Sequence, residues 1–247
     1  MMEEKFVDIL KLRDRVLKVL NGKLDTFFLG GGTALSLFYL HHRESFDLDF
    51  FSKIFSESKI KEIISIIEDS LKVETKGGQI LTSKESARLF RYYVPTGIQK
   101  ELDMEKDSLK VEFIEDPYPL VESYDITIDD IPVFSQENIY LRKIYALCGV
   151  RAFQDEVGKI RFIGGRQEAK DLFDVYFLSR EFMPLSNFVN DFCPTEKEKI
   201  IVWYNSYIRQ DMKLGLTELI IKKKTDFYEI EKHFKAEIKK IIEQELK

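Results

Sequence analysis

Between Phe27 and Phe51 the chain reads FFLGGGTALSLFYLHHRESFDLDFF, a run that forces a strand, a glycine turn, a short helix and a second strand into immediate succession. In Phe46–Phe51 apolar and acidic residues alternate. As a strand, it turns Phe46, Leu48 and Phe50 to a core and projects Asp47 and Asp49 together from the other face. Two carboxylates in one small space repel and raise a pKa unless a cation neutralises them, and a hard divalent ion with oxygen ligands is suited to do so. Gly30, Gly31 and Gly32 let backbone approach a ligand closely. A helix from Thr33 to Leu40 would then direct free N–H groups and a positive dipole end at an anion such as phosphate. A glycine turn is common, and a DxD on a strand is often only a solvated face; the two in one short run are far more specific.

The run resembles the signature of the AbiEii/AbiGii-type nucleotidyltransferases, a branch of the DNA polymerase beta-like nucleotidyltransferase superfamily. The residues that carry the resemblance are Gly31, Gly32, Thr33, Ala34 and Leu35, followed by His42, Arg43, Ser45, Asp47, Asp49 and Phe50. It implies an α+β fold, a polymerase beta-like core with a mixed β-sheet plus a C-terminal helical lobe. It also implies transfer of a nucleoside monophosphate from an NTP to an acceptor hydroxyl, with Mg2+ or alternatively Mn2+ as cofactor. Such proteins often act as the toxin of a toxin–antitoxin or phage-defence pair, so a cognate antitoxin is an expected partner, and tRNA 3′ ends are acceptors in some members.

Composition sets the bounds. A chain of 247 residues with 44% hydrophobic content can bury a substantial core. No apolar run is long enough to cross a bilayer, and the charged start, MMEEKFVDILKLRDRV, lacks a signal-peptide core, so a cytoplasmic protein with no membrane partner is expected. Cys148 and Cys193 read as reduced, buried thiols, and the three histidines have no zinc spacing. A net charge of -5 argues against a generally basic nucleic-acid surface. An RNA partner would have to meet a local patch, such as Lys222–Lys224 or the series Lys235, Lys239 and Lys240. Interleaved acids make a solvated helical face the commoner explanation for both.

Periodicity predicts helices over Glu4–Leu20 and Ser56–Leu71. Short β-favouring runs follow at Gln79–Leu81, Arg88–Val94, Leu109–Glu115 and Asp125–Phe134, separated by turn residues. Helical patterns return at Ile139–Val150, Gln167–Arg180, Glu196–Arg209 and Phe227–Gln244, with Phe153–Gly165 between two of them as a hairpin, a lid or an insertion. The expected organisation is a nucleotidyltransferase core over residues 1–134 and a helical lobe over 135–247, with nucleotide and acceptor meeting in a cleft.

Nucleotidyl transfer needs attacking hydroxyl and leaving pyrophosphate in line about the α-phosphorus, with charge offset at both ends. Asp47 and Asp49 supply two metal carboxylates. Glu112, out of phase with Val111 and Phe113 in LKVEFIE, is the choice for the third, against the reading of an outward strand residue; the family position is often Asp. The resemblance further assigns a lysine on the first helix of the lobe, Lys143, and an acidic segment on the next, Lys170-Asp171-Leu172-Phe173-Asp174-Val175. Lys143 and Asp171 are thereby expected among the catalytic groups. Gly31, Gly32, Thr33, Arg43, Lys143, Arg151 and Asp174 are expected to hold nucleotide, with Arg151 further along the helix of Lys143. Arg43 is assigned a supporting role, pairing with the carboxylates, and Ser45 a local hydrogen bond that fixes the DxD strand. Two other readings stay open: an acceptor that is a protein or small molecule, and a non-catalytic nucleotide-binding interaction module. A P-loop phosphotransferase is disfavoured because G-x-x-x-x-G-K-[ST] is absent.

Overall fold

The computed structural model describes residues 2–81, 88–97, 107–118, 126–149, 151–154, 156–158, 160–163, 165 and 168–246. The chain forms two compact units, Met1–Ala34 with Ser45–Ser135, and Leu35–Glu44 with Gln136–Lys247. The short segment Leu35–Glu44 therefore groups with the C-terminal helices, although the sequence places it within the first lobe.

The first unit is a sheet with helices. Helix α1 (Met2–Leu20) exists because Ile9, Leu12, Val16, Leu17 and Leu20 recur at helical spacing, and all of them are buried. It is followed by β1 (Phe28–Leu29), the short helix α2 (Gly31–Ala34) and β2 (Leu48–Ser52). Helix α3 (Glu57–Leu71) starts where Ser56 caps the Lys59 N–H, buries Ile60, Ile63, Ile64 and Ile67, and stops at Lys72 in the left-handed region (φ 57°). Strands β3 (Lys76–Leu81), β4 (Leu89–Pro95), β5 (Ser108–Glu115), β6 (Ile126–Ile128) and β7 (Ile131–Val133) complete the sheet. Among the described residues seven strands join in the order β3-β4-β5-β2-β1-β7-β6. The sheet is mixed: β2 runs parallel to β5 and β1 to β7, and the other pairs are antiparallel.

Alternation on β2 and β5 decides which face is apolar. Leu48, Phe50, Leu109, Val111 and Phe113 are fully buried, and the Phe113 ring meets Phe27 edge-on at 5.2 Å and stacks with Phe50 at 5.5 Å. Each such phenylalanine contributes about 1.5–3 kcal/mol by leaving water. Phe46, expected on the same face, is only half-buried, because β2 begins at Leu48. The run expected as one strand to Phe134 is a hairpin instead: Asp129 and Asp130 take positive φ (50° and 56°) and reverse the chain between β6 and β7. Asp125 lies outside the described residues.

The second unit is helical. It comprises a π-helical turn (Leu35–Tyr39), α4 (Gln136–Cys148), the hairpin β8 (Arg151–Gln154) with β9 (Ile160–Ile163), and helices α5 (Ala169–Glu181), α6 (Leu185–Phe188), α7 (Pro194–Ser206), α8 (Arg209–Leu216) and α9 (Phe227–Glu245). Helix α4 ends at Gly149, whose φ of 75° suits a residue without a side chain. Consequently Arg151 does not continue that helix but opens β8, and its side chain lies outside the described residues. The single helix expected over Glu196–Arg209 breaks where Tyr207 turns extended (ψ 148°), giving α7 and α8. Cys148 is buried, as expected, but Cys193 is exposed. No described helix is long and apolar enough to cross a membrane.

Candidate active site

The glycine turn and the DxD segment are built against each other. Gly30 donates its N–H to the Asp49 carbonyl at 2.9 Å. Gly31 has φ +64°, and a Cβ there would stand 2.5 Å from Asp49 Oδ2. Only glycine permits both that conformation and that approach. The Thr33 hydroxyl donates to the Asp47 carbonyl and lies 3.0 Å from Ser45 Oγ. Ser45 thus has the expected local role. Thr33, expected at a phosphate, turns its hydroxyl inward and is buried, and Gly32 is buried in α2. Gly31→Ala should therefore destabilise the protein by at least about 1 kcal/mol, the cost of a left-handed non-glycine residue, and displace Asp49. Urea unfolding at neutral pH measures it; an unchanged midpoint would mean that the turn relaxes freely.

The parallel register Asp49↔Glu112 brings these two carboxylates side by side, and the antiparallel register Arg91↔Glu112 brings Arg91 across from the latter. Arg91 Nε donates to Glu112 Oε1 at 2.6 Å. Lys110 Nζ lies 3.0 Å from Asp47 Oδ2 and 3.5 Å from Glu112 Oε2. Burial alone would raise the Glu112 carboxyl, but the Lys110 ammonium and the hydrogen bond from Arg91 outweigh it and hold the pKa below its ordinary value. Burial likewise disfavours the Lys110 ammonium, yet the fields of Asp47, Glu112 and Asp49 more than offset it, and its pKa is raised. Lys110 and Arg91 did not stand out in the sequence, although Lys110 sits two residues before Glu112 and hence on its face of the strand.

These oxygens suit a hard divalent cation in kind, three carboxylates on adjoining backbone segments with one face partly open. Among the described residues, however, no three His, Cys, Asp or Glu side chains are gathered closely enough to hold an ion as they stand. The cations beside them are the Lys110 ammonium and the Arg91 guanidinium. Asp47 and Asp49 are half-buried and accessible, whereas Glu112 is engaged by both basic side chains.

In the helical unit, five of the residues singled out in the sequence come together. Arg43 Nε and Nη2 donate to the two oxygens of Asp174 at 2.7 and 2.8 Å, and His42 Nε2 lies 2.7 Å from Oδ1. Lys143 Nζ stands 2.6 Å from Asp171 Oδ1 and 2.7 Å from Asp174 Oδ2. Asp171 and Asp174 are wholly buried, and Lys143 and Arg43 nearly so. The expected partner of Arg43 was a metal carboxylate; the guanidinium binds Asp174. Asp171, expected among the catalytic groups, and Asp174, expected to hold nucleotide, expose no surface. Backbone fixes the arrangement, since Glu44 N–H donates to the Ile220 carbonyl at 2.8 Å and Lys222 N–H to that of His42 at 2.9 Å. Lys222 and Lys223, expected on a helix, follow this bridge outside any helix and pair with Glu44 and Glu181 at 2.7 and 2.6 Å. On α9, Lys239 and Lys240 pair with Glu243 and Glu237.

A family model described as "Nucleotidyl transferase AbiEii toxin, Type IV TA system" matches residues 15–246. No curated protein matches the chain. Among solved structures, JHP933 from Helicobacter pylori is similar at TM-score 0.52 and 22% identity, over 94% of this chain and 93% of that one. A second H. pylori structure aligns at TM-score 0.56 and 23% identity, over 97% of each chain. MenT4, a nucleotidyltransferase toxin from Mycobacterium tuberculosis, aligns at TM-score 0.55 and 14% identity, over 96% of this chain and 85% of that one. At these identities the structural matches speak for the fold.

Proposed function

The chain belongs to the AbiEii nucleotidyltransferase toxin family, and from that premise we propose that it transfers a nucleoside monophosphate from an NTP to the 3′ hydroxyl of tRNA, with Mg2+ held by Asp47 and Asp49. The observation that carries the reading is the contact of Asp49 with the Gly31 turn, which joins a carboxylate suited to a metal and a backbone suited to phosphate in one place. In the reaction the acceptor hydroxyl gives up its proton to solvent as its oxygen attacks the α-phosphorus, the bond from that phosphorus to the β-phosphate bridging oxygen breaks, and pyrophosphate leaves. A bound divalent ion supplies charge stabilisation for phosphate oxygens and leaving group. The residues of this chain supply position. Asp47 and Asp49 hold the ion, Glu112 is the third carboxylate, and the turn at Gly31 keeps bulk away from Asp49 so that phosphate can approach. Lys143, Asp171, Asp174 and Arg43, being buried and bonded to one another, serve as framework rather than as direct nucleotide contacts. Mn2+ is an alternative ion by the same donor chemistry. A cognate antitoxin and a cytoplasmic location belong to the same reading.

Incubation with total tRNA, Mg2+ and each labelled NTP in turn, with and without excess EDTA, tests the proposal. Label should enter tRNA from at least one NTP and fail to do so with EDTA. Label appearing only in protein or in a small molecule would sink the tRNA assignment, and incorporation indifferent to EDTA would sink the metal assignment.

A further inference from the structure

The carboxylate cluster already contains a lysine ammonium. The parallel register of β2 and β5 matches Leu48 with Val111 and Asp49 with Glu112, so Lys110, two residues before Glu112, rises beside Asp47, two residues before Asp49. Its ammonium reaches Asp47 at 3.0 Å and Glu112 at 3.5 Å, and its side chain keeps 27% exposure. A lysine is a point charge on a flexible four-carbon stem, free to swing where solvent is at hand. Arg91 differs, being fixed on Glu112 by a hydrogen bond of 2.6 Å across the strand pair.

Charge balance gives this placement a consequence. Among the described residues Asp47, Asp49 and Glu112 meet the basic side chains of Lys110 and Arg91, and Glu112 also shares a hydrogen bond with Asp49. A divalent ion added alone would add positive charge beside the ammonium and stand against it for the same oxygens. A triphosphate arriving with the ion restores negative charge and offers the ammonium a new partner. We propose that Lys110 is a placeholder cation: it occupies the carboxylates of the nucleotide-free protein, excludes a lone divalent ion from them, and passes to the phosphates when metal and nucleotide enter together. Metal and nucleotide thereby bind cooperatively, and the empty protein does not hold metal tightly. The inference rests on the reading of Asp47, Asp49 and Glu112 as the metal carboxylates.

Mn2+ binding to the full chain, followed by electron paramagnetic resonance, tests it apart from activity. With Mn2+ alone, Lys110→Met should bind the ion about tenfold or more tightly than the wild type, as expected when a competing charge is removed at this range, and Lys110→Arg should resemble the wild type. With Mn2+ and α,β-methylene analogues of the four nucleoside triphosphates in turn, the wild type should gain affinity for the ion by about tenfold, and Lys110→Met should gain less. If Lys110→Met does not fold, Lys110→Gln takes its place, with the same expectation. Lys110→Met binding Mn2+ alone no more tightly than the wild type, while Asp49→Asn abolishes binding, overturns the placeholder and leaves the carboxylate site standing. Asp49→Asn binding Mn2+ as the wild type does would overturn the carboxylate site itself, and the placeholder with it.

Discussion

Asp174→Ala is expected to lower the stability of the protein by about 3–5 kcal/mol, the range seen when one partner of a buried ion pair is removed. Asp174 accepts from Arg43 at 2.7 and 2.8 Å, from His42 at 2.7 Å, and pairs with Lys143 at 2.7 Å, all with little or no exposure. In the cluster Arg43 and Lys143 balance Asp171 and Asp174. Without Asp174, a positive charge is left buried, and Arg43 and His42 lose an acceptor that no solvent replaces. Burial works against the Asp174 carboxylate, but Arg43 and Lys143, with hydrogen bonds from His42 and Arg43, hold its pKa well below the usual value. A carboxyl whose folded pKa is depressed contributes stability that is fully present above its unfolded value of about 3.9 and is lost as pH falls through the folded value. The gap between wild type and variant should thus be constant near neutrality and shrink once pH drops below about 4. Urea unfolding at several pH values measures both effects. A loss under about 1 kcal/mol at neutral pH, the scale of an exposed pair, would show that the cluster is solvated rather than sealed.

What could be read in the chain, and what could not, follows from how far apart the interacting residues are. The alternation in Phe46–Phe51 is local, and it located β2 and the outward face of Asp49 because period two is a property of one strand. The phase of Glu112 relative to Val111 and Phe113 is local too, and the register Asp49↔Glu112 places it where the phase implies. Helix α3 was legible in the same way, from four isoleucines at helical spacing behind a serine cap. The partner of Arg43 was not, since Arg43 and Asp174 are 131 residues apart and no pattern of period two or 3.6 links them. Thr33 looked like a phosphate ligand by position, but a hydroxyl takes the nearest acceptor, and the Asp47 carbonyl was there. Lys110 was hidden differently: a lysine on a strand reads as solvated, and only the pairing of β2 with β5 sets it against Asp47. The reversal at Asp129–Asp130 was passed over because two aspartates lack the glycine that usually signals such a turn.

Asp49→Asn is expected to reduce nucleotidyl transfer by about a thousandfold or more, since loss of a metal-holding carboxylate removes several kcal/mol of transition-state stabilisation at about 1.4 kcal/mol per tenfold. The substitution is nearly isosteric, so the group that replaces the carboxylate still lies against Gly31, where a Cβ would stand 2.5 Å from Asp49 Oδ2. Backbone contacts are untouched, because the bond from Gly30 runs to the Asp49 carbonyl. Folding should not suffer. Asp49 shares a hydrogen bond with Glu112, which an asparagine amide can still donate, and the Lys110 ammonium keeps the fields of Asp47 and Glu112 when that of Asp49 is removed. The thermal midpoint of the metal-free variant should therefore stay close to that of the wild type. Wild-type stability should rise when Mg2+ and an NTP are added together, by mass action on the folded state, and the variant should lose that rise. These two readings separate the roles: a metal ligand loses transfer and ligand stabilisation while keeping its fold, whereas a residue needed only for the strand would lose all three. Transfer within about tenfold of wild type would mean that Asp49 does not hold the ion, and the reaction would then have to be sought at other groups.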